Sequence, residues 1–135
     1  MDETDEEILK ILKKDSKEPY VSIAKKLGTS EGTIRTRIKR LVDDGTIKQF
    51  TIKVVGKGAK ALIDVKVGLN VNTSQVASNI NEIEGVEEVY EVSGEDDVVA
   101  IVDVITAPEL NEVIERIRDL ENVVSTRTRL ILREY

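Results

Sequence analysis

Segment 30–48 contains the residues of this sequence that are best suited to bind a polyanion. Residues 30–40 of this segment combine four cations with three short hydroxyl residues, namely Arg35, Arg37, Lys39, Arg40, Ser30, Thr33 and Thr36. Guanidinium and ammonium groups contact phosphate oxygens or guanine edges, and small polar residues let a helix approach the floor of a DNA groove. These seven residues are therefore the candidate contacts to double-stranded DNA.

The same segment has the pattern of an amphipathic helix. Its apolar residues recur at helical spacing and predict one buried stripe of Ile34, Ile38, Leu41 and Val42. Ser30 is expected to cap the helix, and Gly45 is expected to end it in the left-handed conformation. Thr33, Thr36, Lys39 and Arg40 then lie opposite the stripe with Gly32, and Arg35 and Arg37 lie on the flanks. An ordinary surface helix with a charged outer face is the alternative.

Two shorter helices are expected before this one. The first begins at a capping box, Thr4 to Glu7, and carries Ile8, Leu9, Ile11 and Leu12. After Pro19 the second helix carries Ile23, Ala24 and Leu27. It ends at Gly28, so only Gly28 and Thr29 separate it from the cap at Ser30. This short joint is typical of a helix-turn-helix, in which the last helix enters the major groove.

The two halves of the chain differ in charge. Residues 1–50 have 11 Lys and Arg against 10 Asp and Glu, whereas residues 51–135 have 9 against 16, within a total net charge of −6. Segment 25–48 alone has 7 basic and 3 acidic residues. Because DNA responds to the local potential, the acidity of the whole chain does not exclude it as a partner. A net-acidic protein is attracted only weakly to random DNA, so we expect two copies of the chain to bind DNA together.

The second half alternates strands with helices. We expect a helix-turn-helix domain over 1–50, a strand over 47–55 that leads into a linker over 51–60, and a second domain over 61–135. In the second domain, the strands are 61–71, 86–92, 98–105 and 123–132, and the helices are 73–84 and a helix after its cap at Thr106. The order β-α-β-β-α-β predicts an α+β, ferredoxin-like fold with helices on one sheet face. A second subunit is the simplest cover for the other face.

Composition excludes several classes of site. The chain has no Cys and no His, so we expect no disulfide and none of the usual zinc or copper sites. Without a long apolar run or a signal peptide, a soluble cytoplasmic protein is expected, with no membrane partner. The acidic turn 95–97 is a weak candidate for a metal, because three adjacent carboxylates rarely converge on one ion. No metal and no cofactor are expected.

The joint order of motifs resembles the Lrp/AsnC family, the leucine-responsive or feast/famine regulators of bacteria and archaea. The resemblance rests on the helix-turn-helix residues Ser30, Thr33, Ile34, Arg37, Ile38, Leu41, Gly45 and Ile47, and on Gly85-Val86, Gly94-x-x-Asp97 and Thr126-x-Thr128 in the second domain. It covers nearly the whole chain. It implies a winged helix-turn-helix followed by an ACT-like effector domain, known as a RAM domain. Two departures are Ser93, where the family usually has Thr, and the unusually acidic turn.

The resemblance further implies a transcription regulator of amino-acid metabolism that dimerises through its sheets and commonly forms octamers. A free amino acid binds near the Gly-x-x-Asp turn in such proteins, so Gly94, Glu95, Asp96, Asp97, Thr126 and Thr128 are the candidate effector residues. A glycine admits close backbone approach, and a carboxylate can pair with an α-ammonium group. A solvated hairpin turn without a ligand is the alternative. If an amino acid binds, a basic one would best offset the acidic turn.

Two other functions remain open from the sequence. Siroheme decarboxylases are similar to this family in architecture, but they depend on histidines, and this chain has none. The sequence also contains no nucleophile triad and no phosphate-binding glycine loop, so we expect that it is not an enzyme. The third function is a module whose helix-turn-helix binds protein instead of DNA. A mobility shift at two salt concentrations distinguishes these functions.

Overall fold

Three short helices form the first unit of the chain, Met1–Val54, in the computed structural model. They are α1 (Glu3–Lys14), α2 (Tyr20–Leu27) and α3 (Glu31–Asp43). The structure describes residues 1–56 and 58–135, so Lys57, in the predicted linker, lies outside the described residues. The helices bury one shared core of Ile8, Leu12, Ile23, Ala24, Ile34 and Ile38. The predicted trihelical arrangement is confirmed.

Helix α1 begins earlier than the sequence pattern indicated. Its N-cap is Asp2, whose side chain accepts the backbone N–H of Asp5, while the Asp5 carboxylate accepts the N–H of Asp2. The predicted capping box at Thr4 to Glu7 is therefore wrong, and Thr4 lies inside the helix. Aspartate caps a helix at least as well as threonine, and its charge interacts favourably with the N-terminal end of the helix dipole.

The joint between α2 and α3 follows the prediction. Gly28 ends α2 in the left-handed region with φ of 66°, and the Ser30 hydroxyl caps α3 by accepting the N–H of Thr33 at 3.2 Å. Gly45 follows α3 with φ of 81°. Of the predicted buried stripe, Ile34, Ile38 and Leu41 are buried, but Val42 is 42% exposed. Val42 lies at the edge of the stripe, where the neighbouring helices no longer cover it.

The strand predicted over 47–55 is not formed. These residues have no regular secondary structure, although the N–H of Ile47 donates to the carbonyl of Leu41 at 2.9 Å and Ile47 packs on the helical core. A strand requires a neighbour for its backbone groups, and none lies beside this segment in the described part of the chain. Phe50, Ile52 and Val54 are consequently exposed.

The second unit, Val55–Tyr135, is the predicted α+β domain. Its elements are β1 (Ala59–Val67), α4 (Thr73–Asn81), β2 (Val86–Glu91), β3 (Val98–Val104), α5 (Ala107–Arg118) and β4 (Val123–Leu130). The strands form an antiparallel sheet in the order β2-β3-β1-β4. Alternate residues of β1 and β3 meet α4 and α5 in one core, which includes Ile63, Val65, Ala100, Ile80 and Ile117. This β-α-β-β-α-β order confirms the predicted fold.

Strand β1 differs from its prediction at both ends. It begins at Ala59, inside the segment that we assigned to the linker, and it ends at Val67. Leu69, expected inside the strand, is 94% exposed in the turn that leads to α4. That turn places Asn70 at φ of 59°, a left-handed conformation that no strand residue adopts. The prediction extended the alternation of apolar residues past the point where the chain turns.

Gly85 lies at the tight connection between α4 and β2. Its φ is +97°, and a Cβ atom at this position would lie 2.9 Å from Val113 Cγ2 and 3.0 Å from Val104 Cγ1. Backbone conformation and packing thus both require glycine, and they allow α5 and β3 to approach this connection closely.

The sheet face away from the helices contains a mixture of apolar and charged residues. Leu62, Val99 and Ile101 are half-buried at its centre, while Asp64, Arg127 and Arg129 form an ion cluster over β1 and β4.

No helix among the described residues is long and apolar enough to cross a membrane.

Candidate functional site

The outer face of α3 has the residue types that were predicted for it. Five of the seven candidate DNA contacts are exposed, namely Ser30, Arg35, Thr36, Lys39 and Arg40, whereas Thr33 and Arg37 are half-buried. One amphipathic helix positions them all, because its buried stripe and its cap at Ser30 fix which side faces outward. This helix therefore presents a continuous polar and basic surface.

Two cations of α3 form ion pairs along their own helix. Arg35 contacts Glu31 at 2.5 Å and also lies over the ring of Tyr20, and Lys39 contacts Asp43 at 2.6 Å. The Asp43 contact raises the pKa of the Lys39 ammonium. Exposed pairs of this spacing contribute only about 0.3–0.5 kcal/mol. Such pairs exchange easily for a phosphate, so Arg35 and Lys39 remain available to DNA.

The other two cations of α3 contact a buried carboxylate on α1. Arg37 Nη1 donates to Asp5 Oδ1 at 3.1 Å, and Arg40 Nη2 donates to Asp5 Oδ2 at 2.8 Å. Arg37 Nη1 also donates to Asp2 Oδ2 at 2.7 Å. The Arg37 side chain is 25% exposed, whereas that of Arg40 is 58% exposed. Arg37 is thus mainly structural, and Arg40 keeps donors that face solvent.

Asp2 and Arg37 shift each other's protonation equilibrium. The backbone N–H of Asp5, and then the Arg37 guanidinium, lower the pKa of Asp2 from 3.8 to about 2. The same contact with Asp2, followed by that with Asp5, raises the pKa of Arg37.

Asp5 was not among the residues that the sequence predicted for the site. The only available signal was an aspartate three positions after a possible cap at Asp2, followed by an apolar helix.

The hydroxyl groups of α3 bond within the helix. Ser30 Oγ and Thr33 Oγ1 lie 2.8 Å apart, and Thr36 Oγ1 donates to the carbonyl of Gly32 at 2.9 Å. Thr36 is exposed and its hydroxyl proton is bonded to the backbone, which leaves the methyl group as the part of its side chain without an internal partner. A methyl group in the major groove contacts the C5-methyl of thymine, so Thr36 is suited to an apolar base contact.

The acidic turn between β2 and β3 combines structural and free carboxylates. The N–H of Val67 donates to Asp97 Oδ2 at 2.9 Å, and the N–H of Asp97 donates to the carbonyl of Val65 at the same distance. Asp97 therefore extends the pairing of β1 with β3 by using its side chain in place of a backbone carbonyl. Gly94, with φ of +122°, has open space where a side chain would project.

The remaining two residues of the turn differ in their partners. Asp96 Oδ2 accepts from Arg127 Nη2 at 2.8 Å, whereas the Glu95 carboxylate has no ion-pair partner in the described part of the chain. The backbone carbonyl of Glu95 accepts from Lys66 Nζ at 3.0 Å. Within residues 1–56 and 58–135, no group of three His, Cys, Asp or Glu side chains could hold a metal ion. Glu95 is the carboxylate of the turn most available to a cationic ligand.

Arg127 connects the turn to a second buried carboxylate. Asp64, in the middle of β1, accepts from Arg129 Nε at 2.8 Å and Nη2 at 3.1 Å, and Arg127 Nε lies 3.7 Å away. Asp64, Arg127 and Arg129 were not among the predicted site residues. The alternation of β1 and β4 places all three on the sheet face without helices, but the sequence alone did not supply the register that pairs them.

Thr126 and Thr128 are not brought into direct contact with the turn. They pair with Val65 and Ile63 across β1, and so they lie on the helix side of the sheet. Asp97 bonds to Val65 on the side of β1 that faces β3, whereas Thr126 pairs with Val65 on the other side. Asp97 and Thr126 are therefore two strand spacings apart, or about 10 Å. Thr126 instead lines a cavity of about 340 Å³ with Arg118 and residues 123–125. Within one copy, the six predicted effector residues therefore form two groups.

Each unit matches the model of a known domain family. Residues 1–48 match the family described as winged helix-turn-helix DNA-binding, and residues 60–135 match the Lrp/AsnC ligand binding domain. The chain belongs to the Lrp/AsnC family. The helix-turn-helix of this Lrp/AsnC protein is thus a DNA-binding domain, and its second unit is the family's ligand-binding domain.

Relatives with curated descriptions are transcriptional regulators. The chain is 39% identical over 136 residues to the HTH-type transcriptional regulator LysM of Sulfurisphaera tokodaii, and the match covers 100% of this chain and 97% of that protein. It is 37% identical over 139 residues to the HTH-type transcriptional regulator FL11 of Pyrococcus abyssi, and this match covers 100% of this chain and 91% of that protein. These full-length matches provide no support for an enzyme of the siroheme decarboxylase type.

Solved structures of Lrp/AsnC proteins share the fold. The leucine response regulatory protein LrpA of Mycobacterium tuberculosis has a TM-score of 0.84 at 26% identity, covering 100% of this chain and 94% of that chain. A feast or famine regulatory protein of M. tuberculosis complexed with L-methionine has a TM-score of 0.81 at 26% identity, covering 99% and 93%. The predicted family and fold are confirmed by these matches.

Proposed function

We propose that this Lrp/AsnC protein binds operator DNA as a homodimer through α3 and changes its binding in response to a free amino acid. The observation that carries the proposal is the capped helix α3, which is held by a two-residue joint and presents Thr36, Lys39 and Arg40 outward. Two such helices related by a two-fold axis would occupy major grooves about 34–36 Å apart. The operator should therefore be a pseudo-palindrome.

The half-buried apolar residues on the open sheet face support dimerisation. Leu62, Val99 and Ile101 lie together at its centre and are not covered by the helices. A second copy on this face would bury them, as homodimer interfaces bury apolar surface. Assembly beyond the dimer, including the octamer that the family implies, would then require other surfaces. Sedimentation velocity of the full chain would distinguish a dimer from an octamer.

DNA binding is tested with duplexes selected from a random pool by the full chain. Fluorescence anisotropy of the selected duplex and of a scrambled duplex, at two salt concentrations, gives the specificity ratio and the salt slope. We expect tighter binding to the selected duplex and a fall in affinity as salt rises. Equal affinity for both duplexes at both salt concentrations would contradict a sequence-specific regulator.

Two substitutions test the contacts that the outer face of α3 makes with DNA. Arg40→Ala should weaken binding to all duplexes and reduce the salt slope by about 0.9 for each phosphate contact that is lost, and it should weaken binding to the selected duplex more than to the scrambled one. Thr36→Ala should instead alter base preference, whereas Thr36→Val keeps the methyl group and should preserve it. A Thr36→Ala protein that selects an unchanged consensus would exclude Thr36 from the base contacts.

An amino acid is the effector class that the ligand-binding domain supports. The methionine complex of the M. tuberculosis relative provides an example within the family. In this chain Asp96 is paired with Arg127 and Asp97 bonds to the backbone of β1, so Glu95 is the turn carboxylate left to bind a cation. We propose a basic amino acid, with Gly94 and Glu95 beside it and Thr126 and Thr128 contributed separately. Isothermal titration with the twenty amino acids tests this, and preference for leucine or glutamate over lysine would contradict it.

A further inference from the structure

Asp5 occupies an unusual position for a charged residue. It lies in the first turn of α1 and is 0% exposed, among the most buried side chains of the chain. Its carboxylate accepts three hydrogen bonds, from the backbone of Asp2 at 3.3 Å and from the two arginines Arg37 and Arg40 of α3. A capping box requires only the first of these bonds. The other two therefore need a separate explanation.

The spacing of the two arginines explains how both reach one carboxylate. Residues three apart lie side by side on a helix, so Arg37 and Arg40 extend from the same flank of α3 towards α1. A buried carboxylate requires compensation by hydrogen-bonded cations, and each oxygen of Asp5 receives one guanidinium. Arg37 also donates to Asp2, which leaves it little surface for DNA.

Arg40 has a different geometry. One terminal nitrogen, Nη2, is held by Asp5 at 2.8 Å, while more than half of the side chain remains exposed beside Thr36. A guanidinium is planar, so fixing one nitrogen restricts the directions in which its other N–H groups point. A donor that is already oriented loses less conformational entropy when it binds a phosphate or a base.

We propose that Asp5 is a positioning residue for DNA recognition, which fixes the Arg40 guanidinium in the orientation that the operator requires. Asp5 itself does not touch DNA. The proposal rests on the proposed operator binding and adds that discrimination between sequences depends on a carboxylate of α1. A purely structural Asp5 would instead affect all DNA sequences equally, in proportion to the folded fraction.

The test compares Asp5→Asn with Glu6→Gln in the full chain. Both substitutions remove one negative charge from the first turn of α1, but Glu6 is exposed, and the ion pairs to Arg37 and Arg40 go to Asp5 and not to Glu6. Asparagine keeps the shape of Asp5 and one acceptor oxygen, but without the negative charge the bond that holds Arg40 falls to roughly half its strength, while the amide N–H₂ meets Arg37 donor against donor. Anisotropy with the selected and the scrambled duplex measures both affinities, and circular dichroism checks the folded fraction.

We expect Asp5→Asn to reduce the ratio of selected to scrambled affinity about 10-fold, the discrimination that one good bidentate contact provides. Affinity for the scrambled duplex should not fall, because a negative charge near DNA has been removed. Glu6→Gln should leave the ratio unchanged. A ratio for Asp5→Asn equal to that of Glu6→Gln would overturn the proposal.

Arg40→Lys provides the measurement if Asp5→Asn fails to fold. Lysine retains the positive charge, and therefore the salt slope, but it lacks the planar fork that Asp5 orients. We expect the specificity ratio to fall about 10-fold with an unchanged salt slope. An unchanged ratio would mean that the oriented guanidinium has no role. If the unmodified chain does not discriminate between duplexes, operator binding itself fails, which is a distinct result.

Discussion

Each unit of this protein contains a buried carboxylate held by two arginines from another element. In the helical unit, Asp5 of α1 is held by Arg37 and Arg40 of α3. In the sheet unit, Asp64 of β1 is held by Arg129 and approached by Arg127, both on β4. The first carboxylate is enclosed between helices. The second lies on the sheet face without helices, where Arg127 and Arg129 are its ion-pair partners.

The difference shows how structural and functional use of a charge can overlap. Arg37 and Arg40 belong to the helix that faces DNA, so the charges that stabilise the fold also lie at the functional surface. In the sheet unit, Arg127 extends from Asp64 to Asp96 and thereby connects the cluster to the acidic turn. In the helical unit the arginines with a structural partner belong to the candidate site themselves, whereas in the sheet unit Arg127 only reaches a residue of that site.

Removing the enclosed carboxylate should have the largest effect on stability. Asp5→Ala leaves Arg37 and Arg40 without their buried partner, and it removes half of the α1 capping box. We expect the helical unit to lose about 3 kcal/mol, the lower end for breaking a buried ion pair, since both arginines keep contact with water. Native-state hydrogen exchange at the amides of Ile8 and Ile34 measures the unfolding of this unit separately.

Glu6→Ala is the matched control for that substitution. It changes an exposed carboxylate in the same turn, and we expect a change within about 0.5 kcal/mol. Equal losses for Asp5→Ala and Glu6→Ala would show that the buried ion pairs add no stability to the unit.

Removing the carboxylate on the open sheet face should have a smaller effect. For Asp64→Ala we expect a loss of about 1–2 kcal/mol, because Arg127 and Arg129 can turn to water once their partner is gone. Exchange at the amides of Ile63 and Ala100 reports on this unit, and Asp103→Ala on the same face is the control. A loss for Asp64→Ala that exceeds the loss for Asp5→Ala would reverse the comparison between the two units.

Loss of the ion pair between Arg127 and Asp96 of the acidic turn should change ligand preference and leave the fold intact. Arg127→Gln frees the Asp96 carboxylate, so the turn gains one unpaired negative charge beside Glu95. We expect the affinity for a basic amino acid to rise about threefold relative to a neutral one, the effect of one exposed ion pair. Arg129→Gln, which leaves the contact between Arg127 and Asp96 in place, is the control. Identical titrations for the two variants would separate the turn from the ligand site.

The smallest expected effect is on how the stability of the helical unit depends on pH in acid. The native pKa of Asp2 is about 2, below its ordinary 3.8, so the unfolded chain takes up the proton first as pH falls. The stabilisation is therefore complete above about pH 4 and is lost as pH falls towards 2. Asp2→Asn keeps the helix cap and should flatten this part of the stability curve of the helical unit, while the sheet unit stays unchanged. A curve of unaltered slope would exclude Asp2 as the titrating group.

Sequence reasoning succeeded where a residue type has one local meaning. As predicted, Gly28 ends α2, Ser30 caps α3 and Gly45 follows the end of α3, because the preferences of these residues act within a few positions of the chain. The order of strands and helices along the second unit followed from hydrophobic alternation and helical spacing. Asp5 and Asp64 were missed because their partners lie 32 to 65 residues away along the chain, and no local pattern encodes those pairs.

The errors have related physical causes. Thr4 was assigned as the cap although Asp2 fits the same pattern, and in the structure the cap is the aspartate. Segment 47–55 has the alternation of a strand but lacks a neighbouring strand to pair with. Among the candidate site residues, Arg37 was grouped with Arg40 because both are cations on one helix. Their different exposure depends on Asp2, which contacts only Arg37.

Gly85 has a consequence for how variation in this protein should be read. Its left-handed backbone and the two valine methyl groups where a side chain would begin exclude every other residue on folding grounds alone. In a saturation library selected only for soluble expression, position 85 should already be restricted to glycine. Its depletion in a screen for ligand response would therefore carry no information about the ligand. Gly94 has open space where a side chain would project, so only its backbone φ of +122° restricts it on folding grounds, and the two screens can differ more there than at Gly85.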